Sequence, residues 1–337
     1  MAATSSASSN QPNRFLKGLS RSGTAYLYLI PAFVVMAIIT FYPLGFQVWM
    51  SFTDYGLKNL RVNAPLPNFV GLQNYIDIAL NNLPTIPNFD FLGMLSFNLW
   101  WTLSNVIVHV ALGILIAVVL NTEGLWFKAI YRAIYILPIV IPSIIIANVW
   151  KNMYDPDYGA INQLLRLIFT PFGVPSDFFS IKWFVQIDPP IGAIPLTWSY
   201  YAMLITNIWL GWPFMTIVAT GALQSIPKDL YEAADIDGAT GTQQFWNITL
   251  PLLRPAMVPA AVLGIITTFN LFNIIYFMSA GGPVRKTEIL LTTAYRLVNE
   301  NRLYGIAAAF CIYIFVVLLI LTLLTNRITR ATESYDV

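Results

Sequence analysis

The fold class predicted by this sequence is all-α integral membrane, with six transmembrane helices. Three observations predict it. The 337 residues are 57% hydrophobic and only 10% charged, whereas soluble domains carry about 25% charged residues. Six apolar runs, at about residues 24–50, 97–120, 129–150, 198–223, 256–280 and 304–325, are long enough to cross a hydrocarbon core of about 30 Å. The intervals between them are short, polar and rich in turn formers, and a helix is the element that satisfies its own backbone inside lipid.

Residues 1–23 are rich in Ser and Asn and carry Arg14, Lys17 and Arg21 with no acid, as expected of a disordered basic tail on the cytoplasmic side. The run at 24–50 is too long for a signal peptide and is expected to remain as the first span. Residues 51–96 are expected outside, and the second span returns the chain inward. Pro138 and Pro142 are expected to kink the third span, since each removes a backbone donor. Residues 151–197 form a second external segment, with a short helix expected over 164–169. The fourth span leads to a polar interval at 225–255. The fifth stops at Gly281, Gly282 and Pro283, residues 284–304 are external again, and the sixth delivers Arg327 and Arg330 to a cytoplasmic tail at 326–337. On this assignment the 18 Lys and Arg residues divide evenly between the two sides. The inner ones sit in shorter segments close to helix ends, where the positive-inside rule applies best.

The interval SIPKDLYEAADIDGATGTQQFWNITLPLLRP at 225–255 is the one long polar stretch with internal order. Ser225 is placed to cap a helix, Pro227 suits a first turn, and Asp229 and Glu232 put negative charge near the positive end of the helix dipole. Gly238 is placed to stop that helix. Leu230, Ala233, Ala234 and Asp237 share one side, giving a surface a partner can approach closely. Leu250-Pro251 and Arg254-Pro255 are expected to turn the chain back towards the membrane. On helix chemistry alone the stretch can equally be a solvated connector.

Glu232, Ala233, Ala234, Gly238 and the Ile248-x-Leu250-Pro251 group stand at spacings that resemble the cytoplasmic EAA loop of permease subunits of ABC importers. The blocks NIWLGWPF (207–214), GALQSIPKDLYEAA (221–234), AIYRAIYILP (129–138), YGAINQLL (158–165), FVGLQNY (69–75) and FNLF with GGP (269–283) are similar to those of the maltose-type, MalF-like permeases. The likeness runs from about residue 25 to 325. It implies the importer-permease version of the six-helix fold, in the bacterial inner membrane with both termini cytoplasmic. It also implies a second, MalG-like permease subunit, two ATP-binding subunits and an extracytoplasmic sugar-binding protein as partners. ATP and Mg would be bound on the partner subunits, leaving no cofactor on this chain, which would form half of the pathway for a di- or oligosaccharide or other glycoside. In the interval, Glu232, Ala233, Ala234, Gly238, Leu250 and Pro251 would carry ATPase coupling. Asn207, Leu210, Gly211 and Phe214 in the fourth span, with Thr267, Thr268 and Leu271 in the fifth, fall where the family contacts sugar. The sequence departs from maltose-specific members in lacking a tyrosine hydroxyl at Phe214, an aromatic at Thr267 and an amide at Leu271.

Independently of any likeness, polar side chains inside spans are costly and mark either a helix contact or a pathway. Asn207, Thr267, Thr268, Asn270 and Asn273 are amides and hydroxyls suited to a neutral polyhydroxylated solute. Trp209, Trp212, Phe214, Phe269 and Phe272 offer flat faces for sugar rings. The bland alternative is that the polar groups join helices and the aromatics face lipid. His109, the only histidine, has no cysteine or carboxylate partner that would suggest a metal site, and reads as structural or pore-lining. Cys311, the only cysteine, excludes an intrachain disulfide. The run GGPVRKT lacks phosphate-loop spacing, and no Ser-His-Asp set exists, so catalysis by this chain is not expected. No basic tract interleaved with aromatics suggests nucleic acid. An ion-coupled secondary transporter of a neutral polar solute is the rival reading, and would call for intramembrane acids and an internal repeat.

Overall fold

A computed structural model describes residues 26–122 and 124–329. The basic tail expected at 1–23 and most of the tail expected at 326–337 lie outside them. Among the described residues the chain is helical, with one isolated bridge between Thr53 and Phe69 and no named strand. Five helices are long and apolar enough to cross a membrane: Tyr26–Ser51 (α1), Phe91–Asn121 (α3), Trp198–Ser225 (α7), Gly241–Ser279 (α9) and Tyr304–Thr329 (α11). A sixth crossing is supplied if Lys128–Val140 (α4) and Ser143–Met153 (α5) count as one.

That pair corrects the expected third span. A kinked rod was expected over 129–150, but α4 and α5 meet at 98°. Ile141 and Pro142 are both extended, with ψ of 129° and 133°. Proline disfavours helical backbone in the residue before it, so Ile141 leaves the helix where Pro138, with helical residues on both sides, does not.

Of the shorter helices, Gln73–Ala79 (α2), Ala160–Phe169 (α6) and Leu290–Asn299 (α10) lie in the segments that join crossings at one end of the bundle. Asp229–Ile236 (α8) lies at the other. The segment 284–304, read from sequence as an external connector, contains α10. Glu288 beside it is buried against Arg285 Nε at 2.6 Å and Arg296 Nε at 3.2 Å. The helix of the second crossing starts at Phe91, six residues before 97, where Asp90 Oδ1 caps it, accepting from the Gly93 N–H at 3.0 Å. Phe91 and Met94 then join a core with Ile78, Leu290, Leu297 and Phe310, gathered from α2, α10 and α11.

The centre of the molecule is the contact between α3 and α7, closed on its third side by α9. A Cβ on Gly113 of α3 would lie 2.4 Å from Met215 Cβ of α7, so only glycine permits this backbone approach. Close crossing over small residues is how membrane helices gain packing without help from water.

The helix that carries the fifth crossing begins at Gly241, before the apolar run expected from 256. Thr240 and Gln243 form a reciprocal cap, the Thr240 N–H donating to Gln243 Oε1 at 2.7 Å and the Gln243 N–H to Thr240 Oγ1 at 3.4 Å. Leu250-Pro251 and Arg254-Pro255 therefore do not turn the chain; they sit within α9. A π-turn over Phe245–Thr249 precedes Pro251, and this wider turn accommodates the donor that proline lacks. The helical hydrogen bonding of α9 is interrupted at Asn270 and Leu271 before resuming at Phe272.

Candidate functional site

Three helices converge on a cavity of about 270 Å³. Its walls are His109 from α3, Asn207, Leu210, Gly211, Phe214 and Met215 from α7, and Leu263, Gly264, Thr267, Thr268 and Leu271 from α9. Helical spacing explains the grouping: 207, 210, 211 and 214 recur every three or four residues on one side of α7, as do 264, 267, 268 and 271 along α9. All seven residues that the resemblance placed at the sugar contact meet here. Asn270, named beside them for its amide, is not in the wall; its Nδ2 donates back to the Ile266 carbonyl at 3.3 Å, where α9 is interrupted. Asn273 also lies elsewhere, its Nδ2 donating to Ser143 Oγ at 2.7 Å and so tying α9 to α5.

Most of the aromatic faces proposed from sequence are engaged in packing. Trp209 meets Trp150 with ring centroids 5.9 Å apart, and Trp212 meets Tyr135 at 5.9 Å. Phe269 is fully buried, and Phe272 stacks on Tyr276 at 4.8 Å. Only Phe214 presents itself to the cavity. Composition could not distinguish these cases, because every aromatic in a membrane helix has lipid, protein or cavity available to it.

Sequence reasoning left His109 without an assigned partner. Its ring is 3% exposed, and Nε2 lies 2.9 Å from the Asn207 carbonyl oxygen. A carbonyl accepts only, so in the neutral ring Nε2 carries the proton and donates. Gly211 makes room for the ring, since a Cβ there would fall 2.2 Å from His109 Cε1. Asn105, one turn earlier on α3, donates its Nδ2 to the Trp101 carbonyl at 2.7 Å and accepts from Asn207 Nδ2 at 2.7 Å. The signal available in the sequence was the four-residue spacing of Asn105 and His109, which puts both on one stripe of α3.

Thr267 Oγ1 donates to the Leu263 carbonyl at 2.9 Å, so its proton is committed to its own helix. The wall holds no Asp, Glu, Lys or Arg. Its chemistry is that of apolar surface with a few neutral hydrogen-bonding groups, which orients a ligand by hydroxyl contacts and gives an ion no counter-charge.

At the other end of the bundle, α8 runs from Asp229, with Lys228 rather than Ser225 in the N-cap position. Ser225 is the last residue of α7, and its Oγ donates to the Ala222 carbonyl at 2.7 Å. Pro227 precedes the helix, and its carbonyl accepts from the Leu230 N–H at 3.4 Å. Gly238 stops the helix: its φ is +76°, its N–H donates to Asp235 O at 3.0 Å, and the Ala239 N–H donates to Ala234 O at 2.9 Å. These are the paired bonds of a Schellman ending. Glu232 and Ala233 are exposed and Ala234 half-buried. Two bonds fasten α8 to the start of α9: Tyr231 Oη with Thr249 Oγ1 at 2.9 Å, and Gln244 Nε2 to Asp235 Oδ1 at 2.5 Å. Leu250 and Pro251 follow Thr249 directly in α9, outside the short helix itself.

Residues 109–334 match the family described as binding-protein-dependent transport system inner membrane component. The chain is 32% identical over 329 residues to the maltodextrin transport system permease protein MalC of Streptococcus pneumoniae, covering 96% of this chain and 73% of that one. It is 32% identical over 305 residues to the trehalose/maltose transport system permease protein MalF of Thermococcus litoralis, covering 90% and 93%. A solved bacterial ABC transporter involved in the import of the acidic polysaccharide alginate shares the fold, with a TM-score of 0.73 over 94% of this chain and 99% of that one, at 23% identity. With most of its helical bundle inside the matched region, the chain belongs to the binding-protein-dependent transport system inner membrane components.

Proposed function

We propose that this chain is the MalF-like permease subunit of an ATP-driven importer of a neutral di- or oligosaccharide or other glycoside. The observation that carries the reading is the cavity between α3, α7 and α9, with its hydroxyl, amide and imidazole groups and no carboxylate, ammonium or guanidinium group. At about 270 Å³ it is small beside the roughly 300–1,000 Å³ of complete ligand pockets, as fits a half-site closed by a second, MalG-like permease subunit. In this reading the end bearing α8 faces the cytoplasm, as do both termini. Two ATP-binding subunits grip Glu232, Ala233, Ala234 and the Gly238 turn, and an extracytoplasmic binding protein delivers sugar at the opposite end. ATP and Mg act on the partner subunits. Closure of those subunits moves α8, and α9 follows through Tyr231 and Gln244, so that the wall at Thr267 and Thr268 shifts against Asn207 and Gly211. An ion-coupled transporter finds less support, since the cavity offers no carboxylate to carry a proton or sodium ion.

The test is reconstitution of the chain with its partner subunits and binding protein in proteoliposomes, with maltose, maltotriose, trehalose and galactobiose offered as labelled sugars. Uptake of at least one is expected to require ATP and the binding protein, and the chain purified alone is expected to hydrolyse none. Uptake driven by a proton or sodium gradient without ATP would replace this reading with the rival one.

A further inference from the structure

We infer that His109 is a sugar-contacting, specificity-determining residue: its Nδ1 is a fixed hydrogen-bond acceptor in the cavity wall and selects a solute that presents a hydroxyl donor there. The inference rests on the transport reading above and adds to it a residue on α3, a helix that supplies no other side chain to the wall.

The tautomer follows from the partners. Nε2 donates to the Asn207 carbonyl, so Nδ1 of the neutral ring has a lone pair and no proton. Among the described residues Nδ1 has no hydrogen-bond partner, yet it is not one of the sealed, unsatisfied atoms of the interior. The ring is 3% exposed and lines the cavity, so the cavity is where that lone pair finds a partner. An acceptor buried without one costs about 1–3 kcal/mol. The ring is also held in place: Gly211 leaves no space for a side chain between His109 and α7, and the bond to Asn207 fixes its rotation.

Asn207 repeats the pattern. Asn105 Nδ2 is spent on the Trp101 carbonyl, so Asn105 Oδ1 faces Asn207 and takes its Nδ2 proton. What Asn207 has left is Oδ1, again an acceptor, together with the second proton of Nδ2. Thr267 has committed its proton to α9, leaving Thr268 as the one hydroxyl in the wall free to donate. The wall therefore offers two fixed acceptors, His109 Nδ1 and Asn207 Oδ1, to a ligand that gives hydrogen bonds. A sugar hydroxyl does so, whereas a carboxylate brings acceptors and a charge for which nothing in the wall compensates.

Two substitutions separate contact from scaffolding. His109→Gln places an amide N–H where Nε2 stood and keeps the bond to Asn207, but removes the acceptor at Nδ1. His109→Asn places an oxygen near Nδ1 and loses the anchor. Each is assembled into the complete importer in proteoliposomes, with the sugar from the panel above that the unmodified complex carries fastest and its monodeoxy forms. Uptake is measured at saturating binding protein. H109Q is expected to assemble, to keep ATP hydrolysis stimulated by the binding protein, and to lose about tenfold in uptake. H109N is expected to transport better than H109Q. One monodeoxy sugar is expected to be carried about tenfold more slowly than its parent by the unmodified importer, and no more slowly than its parent by H109Q. Uptake by H109Q at the unmodified rate, or H109N falling below H109Q, overturns the inference and leaves the importer reading standing. If H109Q fails to assemble, the monodeoxy series on the unmodified importer decides, and equal carriage of every member overturns the inference. Failure of the unmodified importer to take up any of the four sugars with ATP removes the transport reading, and this inference with it.

Discussion

Tyr231 and Thr249 share a hydrogen bond of 2.9 Å that joins α8 to the π-turn at the base of α9. The same helix, about four turns further on, supplies Leu263, Gly264 and Thr267 to the cavity wall. A push on α8 therefore has a route to the site through covalent backbone and two side-chain bonds, this one and that of Gln244 to Asp235.

Replacing Tyr231 with Phe keeps the ring and removes that bond, at a net cost of about 0.5–1.5 kcal/mol. The complex is expected to assemble normally and to hydrolyse ATP with less sugar moved per ATP. Parallel assays of phosphate release and uptake in one preparation read that ratio. An unchanged ratio would show that movement of α9 does not depend on this contact.

Glu232→Lys and Gly238→Val are expected to leave insertion and sugar retention nearly intact while uncoupling transport from hydrolysis. The lysine puts a cation at the positive end of α8, costing about 0.3–1 kcal/mol. At Gly238 an added Cβ meets nothing within 4 Å, so the effect comes from the backbone alone. A β-branched residue at φ +76° costs about 1–2 kcal/mol and undoes the Schellman ending. Transport at the unmodified rate by both variants would reduce α8 to a connector.

Gly113→Ala is expected to lower the thermal stability of the complex, because the new methyl falls 2.4 Å from Met215 Cβ and the helices have to part. Overpacking of this kind costs about 1–3 kcal/mol. Gly45→Ala, where nothing lies within 4 Å, serves as the control. Thermal inactivation midpoints of the two variants should differ, with Gly45→Ala at or above the unmodified value.

The loop after α1 should respond to acid. The Lys58 ammonium, hydrogen-bonded to the Asp54 carboxylate, holds its pKa below the usual carboxylate range, and the side chain and backbone of Asn68 add to this. A carboxyl with a lower pKa folded than unfolded stabilises the fold above the unfolded value of about 3.9 and loses that contribution as pH falls through the folded value. Hydrogen exchange at the Asn68 amide, which donates to Asp54 Oδ1, should lose protection in that acidic window. Asp54→Asn should remove the pH dependence.

Most of the α7 and α9 walls was legible through the resemblance, which put Asn207, Leu210, Gly211 and Phe214 in the fourth span and Thr267, Thr268 and Leu271 in the fifth where the family contacts sugar; residue chemistry alone pointed only to Asn207, Phe214, Thr267 and Thr268 among them. Asn270 falls outside the cavity wall for a local reason. It sits at the interruption of α9, where helical spacing no longer tells which way a side chain turns. Pro142 announced a disturbance in the third crossing but not its size, since a proline fixes one φ and forbids one bond while neighbouring helices set the resulting angle. The partner of His109 was not readable at all. Asn207 contacts it with a backbone carbonyl, which every residue carries, so no side-chain pattern marks the pair.

The 98° corner at Ile141 and Pro142 bears on how the bundle deforms. At about 1.5 Å per residue, α4 with 13 residues and α5 with 11 are roughly 20 and 16 Å long, so neither spans a bilayer core of about 30 Å unaided. They also have different neighbours: α4 lies along α7, and α5 lies against the last segment of α9, beyond its interruption. Pro142 has no N–H to give, so the corner is a joint at which the missing helical bond costs nothing further to open. The two half-length rods can follow different parts of the protein, and a displacement arriving at one is not forced rigidly through to the other.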